Sequence, residues 1–226
     1  MVEFLALAAQ CAPDVHPTTL AAVVRAESAA NPLAIGINGG ARLPRQPASK
    51  AEAVATAEWL MANGYNFDAG LGQVNVKNFR SLGLGVADLF EPCTNLKAAA
   101  RVLRDCYDRA SLQFTAGQPA LHAALSCYNT GNFSRGFANG YVHKVAANAV
   151  LPVPALLPIG EGGKQPIRVQ ATKAPDSKAG APRRLRHVGQ PGSPADDETG
   201  LGDAFSQAQT DAFAAAKPRA ESPSSK

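Results

Sequence analysis

The sequence predicts a mainly α-helical domain over residues 1–150, followed by a disordered, proline-rich tail over 151–226. Three observations carry this. Apolar residues recur at helical spacing through most of the first part, and no alternating run is long enough for a sizeable sheet. Twelve of the fourteen aromatic residues lie before residue 150, and ten of the seventeen prolines lie after it. A segment so poor in large apolar side chains cannot bury enough surface to offset its chain entropy, whereas roughly 150 residues can enclose a core.

The elements follow in order. Val2-Glu3-Phe4-Leu5-Ala6-Leu7-Ala8-Ala9 is short, carries Glu3 and lacks a positive flank, so it reads as a first helix rather than as an export signal. Pro17-Thr18-Thr19 caps a second helix, with Leu20, Val23, Val24 and Glu27 at i, i+3, i+4 and i+7, and Asn31-Pro32 stops it. Residues 33–47, with three glycines and two prolines, read as a loop. Ser49-Lys50-Ala51-Glu52 fits a capping box opening a helix that ends at Asn63-Gly64. Gly70-Leu71-Gly72-Gln73-Val74-Asn75-Val76 predicts a short extended segment. Asn95 caps a helix bearing Leu96, Ala99, Leu103 and Cys106. Pro119 opens one through Leu121, Leu125 and Cys127 that breaks at Asn129-Thr130-Gly131, and a last helix covers Tyr141 to Val150.

The net charge of +4 divides as +2 for the domain and +2 for the tail, too mild and scattered to point to nucleic acid. The tail carries a basic run from Lys164 to Arg186 and then Asp196-Asp197-Glu198, which reads as a solvated polyampholyte or as a docking segment for an anionic partner or the membrane surface. No stretch approaches the roughly 20 apolar residues of a transmembrane helix. Cys11, Cys93, Cys106 and Cys127 all fall in the domain without metal-ligand spacing, and His16, His122 and His143 stand isolated, so no metal or cofactor is implied. Four buried thiols are one reading of the cysteines; two disulfides in an oxidising compartment are the other. In the second case a helix from Cys93 to Cys106 holds those two too far apart to pair. The apolar stripes ending in Cys106 and Cys127 then favour Cys106–Cys127, leaving Cys11–Cys93.

Glu27 is the unusual residue. It continues an apolar stripe near a helix C-terminus, where burial and the backbone dipole both favour the neutral carboxyl that a general acid needs. On periodicity alone it reads equally as a glutamate at a fraying helix end beside Arg25. Asp68, the other carboxylate near it in the pattern, is either a turn residue or a base that activates water.

Glu27-Ser28 with Asn31-Pro32, then Gly70-Leu71-Gly72-Gln73-Val74-Asn75, then Ser126-Cys127-Tyr128-Asn129-Thr130-Gly131, resemble the three ordered motifs of soluble lytic transglycosylases. Pro92-Cys93-Thr94-Asn95-Leu96 resembles the helix start between the last two. The likeness covers about residues 3–148. The Gly39-Gly40 loop and the Cys-Tyr-Asn-Thr-Gly-Asn-Phe ending resemble the VirB-type branch of type IV secretion systems. Gly72 stands where that family usually has Met, implying a less bulky cleft wall, and Cys127 where it has Ala.

The resemblance implies a lysozyme-like fold, a periplasmic location, and peptidoglycan glycan strands and secretion-system components as partners. It makes Glu27 the single acid, with Ser28, Gln73, Asn75, Tyr128 and Asn129 around the sugar and the Tyr128 hydroxyl placed to orient Glu27. The reaction implied is cleavage between N-acetylmuramic acid and N-acetylglucosamine with a 1,6-anhydro product. A hydrolysing muramidase and a non-catalytic wall-binding assembly factor remain open beside it.

Overall fold

The computed structural model describes residues 4–170, in which eight α-helices and three very short strands are found. The sequence expectations for 171–226, including most of the basic run and the acidic cluster after it, lie outside the described residues. Helix α1 (Phe4–Cys11) buries Phe4, Ala8 and Cys11, so the N-terminal apolar stretch belongs to the core. Helix α2 (Pro17–Ser28) is capped by His16, one residue before the predicted Pro17-Thr18-Thr19. Nδ1 of His16 accepts the Thr18 amide, and Pro17 takes the first helical position, where no amide is needed. Its stripe of Leu20, Val23 and Val24 is wholly buried. Ala29 and Ala30 then adopt left-handed angles (φ 51° and 62°), turning the chain sharply just beyond Glu27.

The predicted loop over 33–47 contains strand β1 (Ile35–Ile37), which pairs antiparallel with β2 (Phe67–Ala69), itself paired with β3 (Val74–Asn75). Between them lies α3 (Lys50–Ala62). Ser49 caps it as expected by accepting the Glu52 amide at 3.2 Å. Glu52 departs from a reciprocal capping box: its carboxylate takes both Arg45 nitrogens and the Ala48 amide, anchoring the glycine-rich loop to α3. A single turn of helix, α4 (Phe79–Leu82), leads towards α5 (Pro92–Ala110), the longest helix described. It begins at Pro92, three residues before the predicted cap, so Asn95 lies inside it. Helices α6 (Gln118–Thr130), α7 (Arg135–Ala138) and α8 (Tyr141–Ala149) complete the set.

Two apolar clusters result. One joins α1, α2, α5, α6 and α8 through side chains such as Leu20, Leu96, Leu103 and Leu125. The other packs the small sheet and α3 against the opposite side of α5 through Leu60, Phe67 and Phe90. Tyr128 touches both. The disulfides pair as the apolar stripes favour, Cys11–Cys93 and Cys106–Cys127, with Cα separations of 5.2 and 5.8 Å. The first closes 82 residues, which in the chain-entropy treatment stabilises the fold by about 4.5 kcal/mol. The second ties α5 to the end of α6.

The contacts do not stop at residue 150. Residues 151–170 run as an extended strap over the domain. The Leu157 amide donates to Ala30 O, Gly160 to Ala48 O, Ile167 to the Thr56 hydroxyl and Gln170 to Arg42 O. Ile167 is buried, Leu156 packs on the first cluster and Val169 on the second. The strap thus joins both sides of the molecule. Prolines and a lack of aromatics give it the composition of a tail, but its main-chain amides find partners that composition does not reveal.

Candidate active site

Between the sheet and the helical cluster lies a cleft of about 830 Å3. Glu27, Asp68, Gln73, Asn75, Tyr128 and Asn129 all line it. Residues drawn from α2, β2, β3 and α6 are therefore brought together from positions about 100 apart in the chain. Ser28 is the exception among the expected site residues. Its hydroxyl donates back to Val24 O at 3.1 Å, and it lies outside the cleft lining.

The bend at Ala29 leaves Glu27 partly buried in the last turn of α2. Burial pushes its carboxyl up to about 7, and the negative charge of Asp68 adds to the rise. A hydrogen bond from Tyr141 and the charge of Lys144 act in the opposite direction. Burial thus supplies the leading cause of a shift that the sequence also attributed to the helix terminus. The Tyr141 hydroxyl donates to Oε1 of Glu27 at 2.5 Å, fixing one carboxyl oxygen and leaving Oε2 for other chemistry. Lys144, one turn further along α8, holds Ala26 O at 2.5 Å.

Tyr128 was expected to hold Glu27, but its hydroxyl donates instead to Gly72 O at 2.5 Å. Tyr141 makes the expected contact. The sequence signal was present but slight: a tyrosine opening an amphipathic helix, buried with Val142 and Val145, needs a partner for its hydroxyl. Burial and the nearby carboxylates hold both phenols well above their usual range, so both stay neutral donors.

The turn from Gly70 to Gln73 is held from behind by Asn95, which is almost wholly buried. Its Oδ1 accepts the Gly72 amide at 2.8 Å, and its Nδ2 donates to Ala69 O and Leu89 O at 2.9 and 2.8 Å. Gly70 sits at φ 77°, where a Cβ would fall 2.3 Å from Leu89 O. At Gly72 a Cβ would meet that of Ala99 at 2.4 Å. The missing side chain therefore does not open the cleft, as the sequence implied. It lets α5 and Tyr128 close on the turn.

Gln73, at φ 47°, donates Nε2 to Ala34 O and Gly70 O, leaving Oε1 as its acceptor. Asn75 is committed to the sheet: Nδ2 donates to Asp68 Oδ1 at 2.7 Å and to Asn66 Oδ1 at 3.0 Å, and Oδ1 accepts the Lys77 amide. Asn129 accepts from Asn139, which leaves its own amide nitrogen for the cleft. Asp68 lies in the middle of β2, not in a turn. Its two oxygens accept from Asn38 (2.9 Å) and Asn75 (2.7 Å).

A rate that needs the Glu27 proton must follow its titration. The neutral carboxyl is present below about 7 and is lost above it. The cleavage rate at low substrate is therefore expected to be level on the acid side and to fall about tenfold per pH unit above roughly 7. A rate profile from pH 5 to 9 measures this, and a limb near 4.5 would contradict it.

A cleft whose Glu27 carboxyl is raised to about 7, lined by amides, is able to protonate a leaving oxygen while holding polar substituents. Residues 4–151 match the transglycosylase SLT domain family. The chain is 46% identical over 184 residues to the type IV secretion system protein virB1 of Brucella abortus and of Brucella suis, covering 79% of this chain and 77% of theirs. It is 42% identical over 156 residues to protein virB1 of Rhizobium radiobacter, covering 69% of this chain and 64% of that one. No solved structure matches. The fold is accordingly that of a lysozyme-like domain, and the chain belongs to the transglycosylase SLT family, among the relatives of the VirB1 proteins.

Proposed function

We propose that this protein is a lytic transglycosylase of peptidoglycan that opens the wall locally for a type IV secretion system. The observation that carries the reading is Glu27: a cleft carboxyl held near neutral pH by burial and oriented by Tyr141. Glu27 protonates the glycosidic oxygen between N-acetylmuramic acid and N-acetylglucosamine. The bond from C1 to that oxygen breaks, and the carboxylate then takes the proton of the C6 hydroxyl, whose oxygen closes a 1,6-anhydro ring on C1. One carboxyl serves as acid and then as base. Oε1 of Gln73 and the free amide of Asn129 are suited to acetamido and hydroxyl groups.

The two disulfides favour an oxidising compartment, and the periplasm is where such a substrate lies. The names of the relatives support the secretion-system partner. Among the described residues no helix is long and apolar enough to cross a membrane.

A second reading has one observation in its favour: Asp68 shares the cleft with Glu27 and could activate water, giving hydrolysis. Mass spectrometry of muropeptides released from purified sacculi separates the two. The transglycosylase releases 1,6-anhydromuramyl ends. Reducing muramic acid ends would establish hydrolysis, and no release would leave a wall-binding protein.

A further inference from the structure

Asp68 has no part in the single-carboxyl reaction, yet its placement is specific. It occupies the middle of β2 between Phe67 and Ala69, both fully buried, so the alternation of the strand turns Asp68 alone to the cleft. Asn38 Nδ2 donates to Oδ2 and Asn75 Nδ2 to Oδ1, one amide on each oxygen. A carboxylate offers about four acceptor sites, so these bonds fix its direction and leave one site on each oxygen. Among the described residues, no lysine or arginine forms an ion pair with it. A fixed negative charge facing a cleft, with none of the cleft's cations (Lys77, Arg101, Arg109) ion-paired to it, is matched to something the substrate supplies: an N–H, and positive charge arising during the reaction.

We propose that Asp68 is a second catalytic residue, accepting the N–H of the muramyl 2-acetamido group so that the acetamido oxygen is aimed at C1. This rests on the sugar chain occupying the cleft as a substrate of Glu27. As the glycosidic bond breaks and its oxygen takes the Glu27 proton, the acetamido oxygen bonds to C1. The ring so formed carries one positive charge, shared with the nitrogen. Asp68 faces that nitrogen and compensates the charge without gaining or losing a proton. The C6 oxygen then displaces the acetamido oxygen from C1 and gives its proton to Glu27. A carboxylate beside the nitrogen compensates the charge of such a step, and a separate acid serves the leaving oxygen. The cleft has both.

The alternative is that Asp68 merely links Asn38 to Asn75 and so braces the sheet. The two are separated with full-length wild type and Asp68→Asn, each acting on purified sacculi and on the same sacculi after de-N-acetylation. On acetylated wall, Asp68→Asn is expected to lower kcat by about a hundred- to a thousandfold with little change in KM, the products remaining anhydro. On de-N-acetylated wall the two proteins should be equally slow, within about threefold, because the group on which Asp68 acts is gone. Losses that multiply instead of converging overturn the proposal in favour of bracing. So does an Asp68→Asn rate above about a tenth of wild type. Reducing muramic acid ends from wild type that vanish in Asp68→Asn would make Asp68 a base for water and also overturn it. Wild type that is inert on both walls, like Glu27→Gln, removes the enzyme reading itself. Should Asp68→Asn melt more than a few degrees below wild type, Asp68→Ser carries the same four-way comparison.

Discussion

Glu27→Gln is expected to reduce muropeptide release by about two to four orders of magnitude while leaving the fold intact. The amide matches the carboxyl in shape, and its oxygen still accepts from the Tyr141 hydroxyl that holds Oε1 at 2.5 Å. What it lacks is a proton to give and a basic oxygen to take one back. The same substitution has a stability signature of definite sign. In the folded protein the carboxyl titrates near 7, against 4.5 ordinarily. Between these values the folded state holds more protons than the unfolded one, so wild type loses stability as pH rises through the interval. The amide does not titrate. The melting temperature of Glu27→Gln should therefore gain on wild type from about pH 4.5 to 7 and run parallel to it above. Thermal melts at four or five pH values, beside sacculus digestion, read both effects. A variant retaining more than a tenth of the wild-type rate would end the assignment of Glu27 as the acid.

Asn95→Leu should have the largest effect on stability. Leucine nearly matches asparagine in volume, but the Gly72 amide and the carbonyls of Ala69 and Leu89 lose their partners in a site closed to water. At about 1–3 kcal/mol for each buried group left unpaired, and with some relaxation, the loss is about 3–5 kcal/mol. Activity should fall further than stability alone accounts for. The turn released carries Gln73 in the left-handed region and the Gly72 oxygen that holds Tyr128. Urea unfolding gives the stability difference, and a value under 1 kcal/mol would show that the turn does not depend on Asn95.

The helices were legible because their stripes are local. Leu20, Val23, Val24 and Glu27 announce α2 and place a carboxyl on its apolar stripe, and the stripes ending in Cys106 and Cys127 announce a disulfide. What escaped depends on partners far along the chain. Strand β1 is three residues among glycines and prolines, and only pairing with residues 67–69 makes it a strand. Asn95 reads as a cap because asparagine often is one, while its actual partners lie 6 to 26 residues away. The tyrosine on Glu27 sits 114 residues from it, and no spacing chooses between Tyr128 and Tyr141.

The strap over 151–170 bears on how this protein can vary. Every hydrogen bond that Leu157, Gly160, Gly163, Ile167 and Gln170 make to the domain uses the strap's own main chain. A path held by amides and carbonyls is indifferent to most side chains along it. Drift can therefore rewrite much of the segment, provided that apolar residues stand where Leu156, Ile167 and Val169 pack and no proline replaces a donating amide. The family's shared pattern ends at residue 151, although the fold continues to Gln170 and the match to the Brucella proteins, 79% of this chain, runs past it. A side-chain pattern shared across a broad family stops before such a segment, whereas relatives such as the Brucella proteins still align over it.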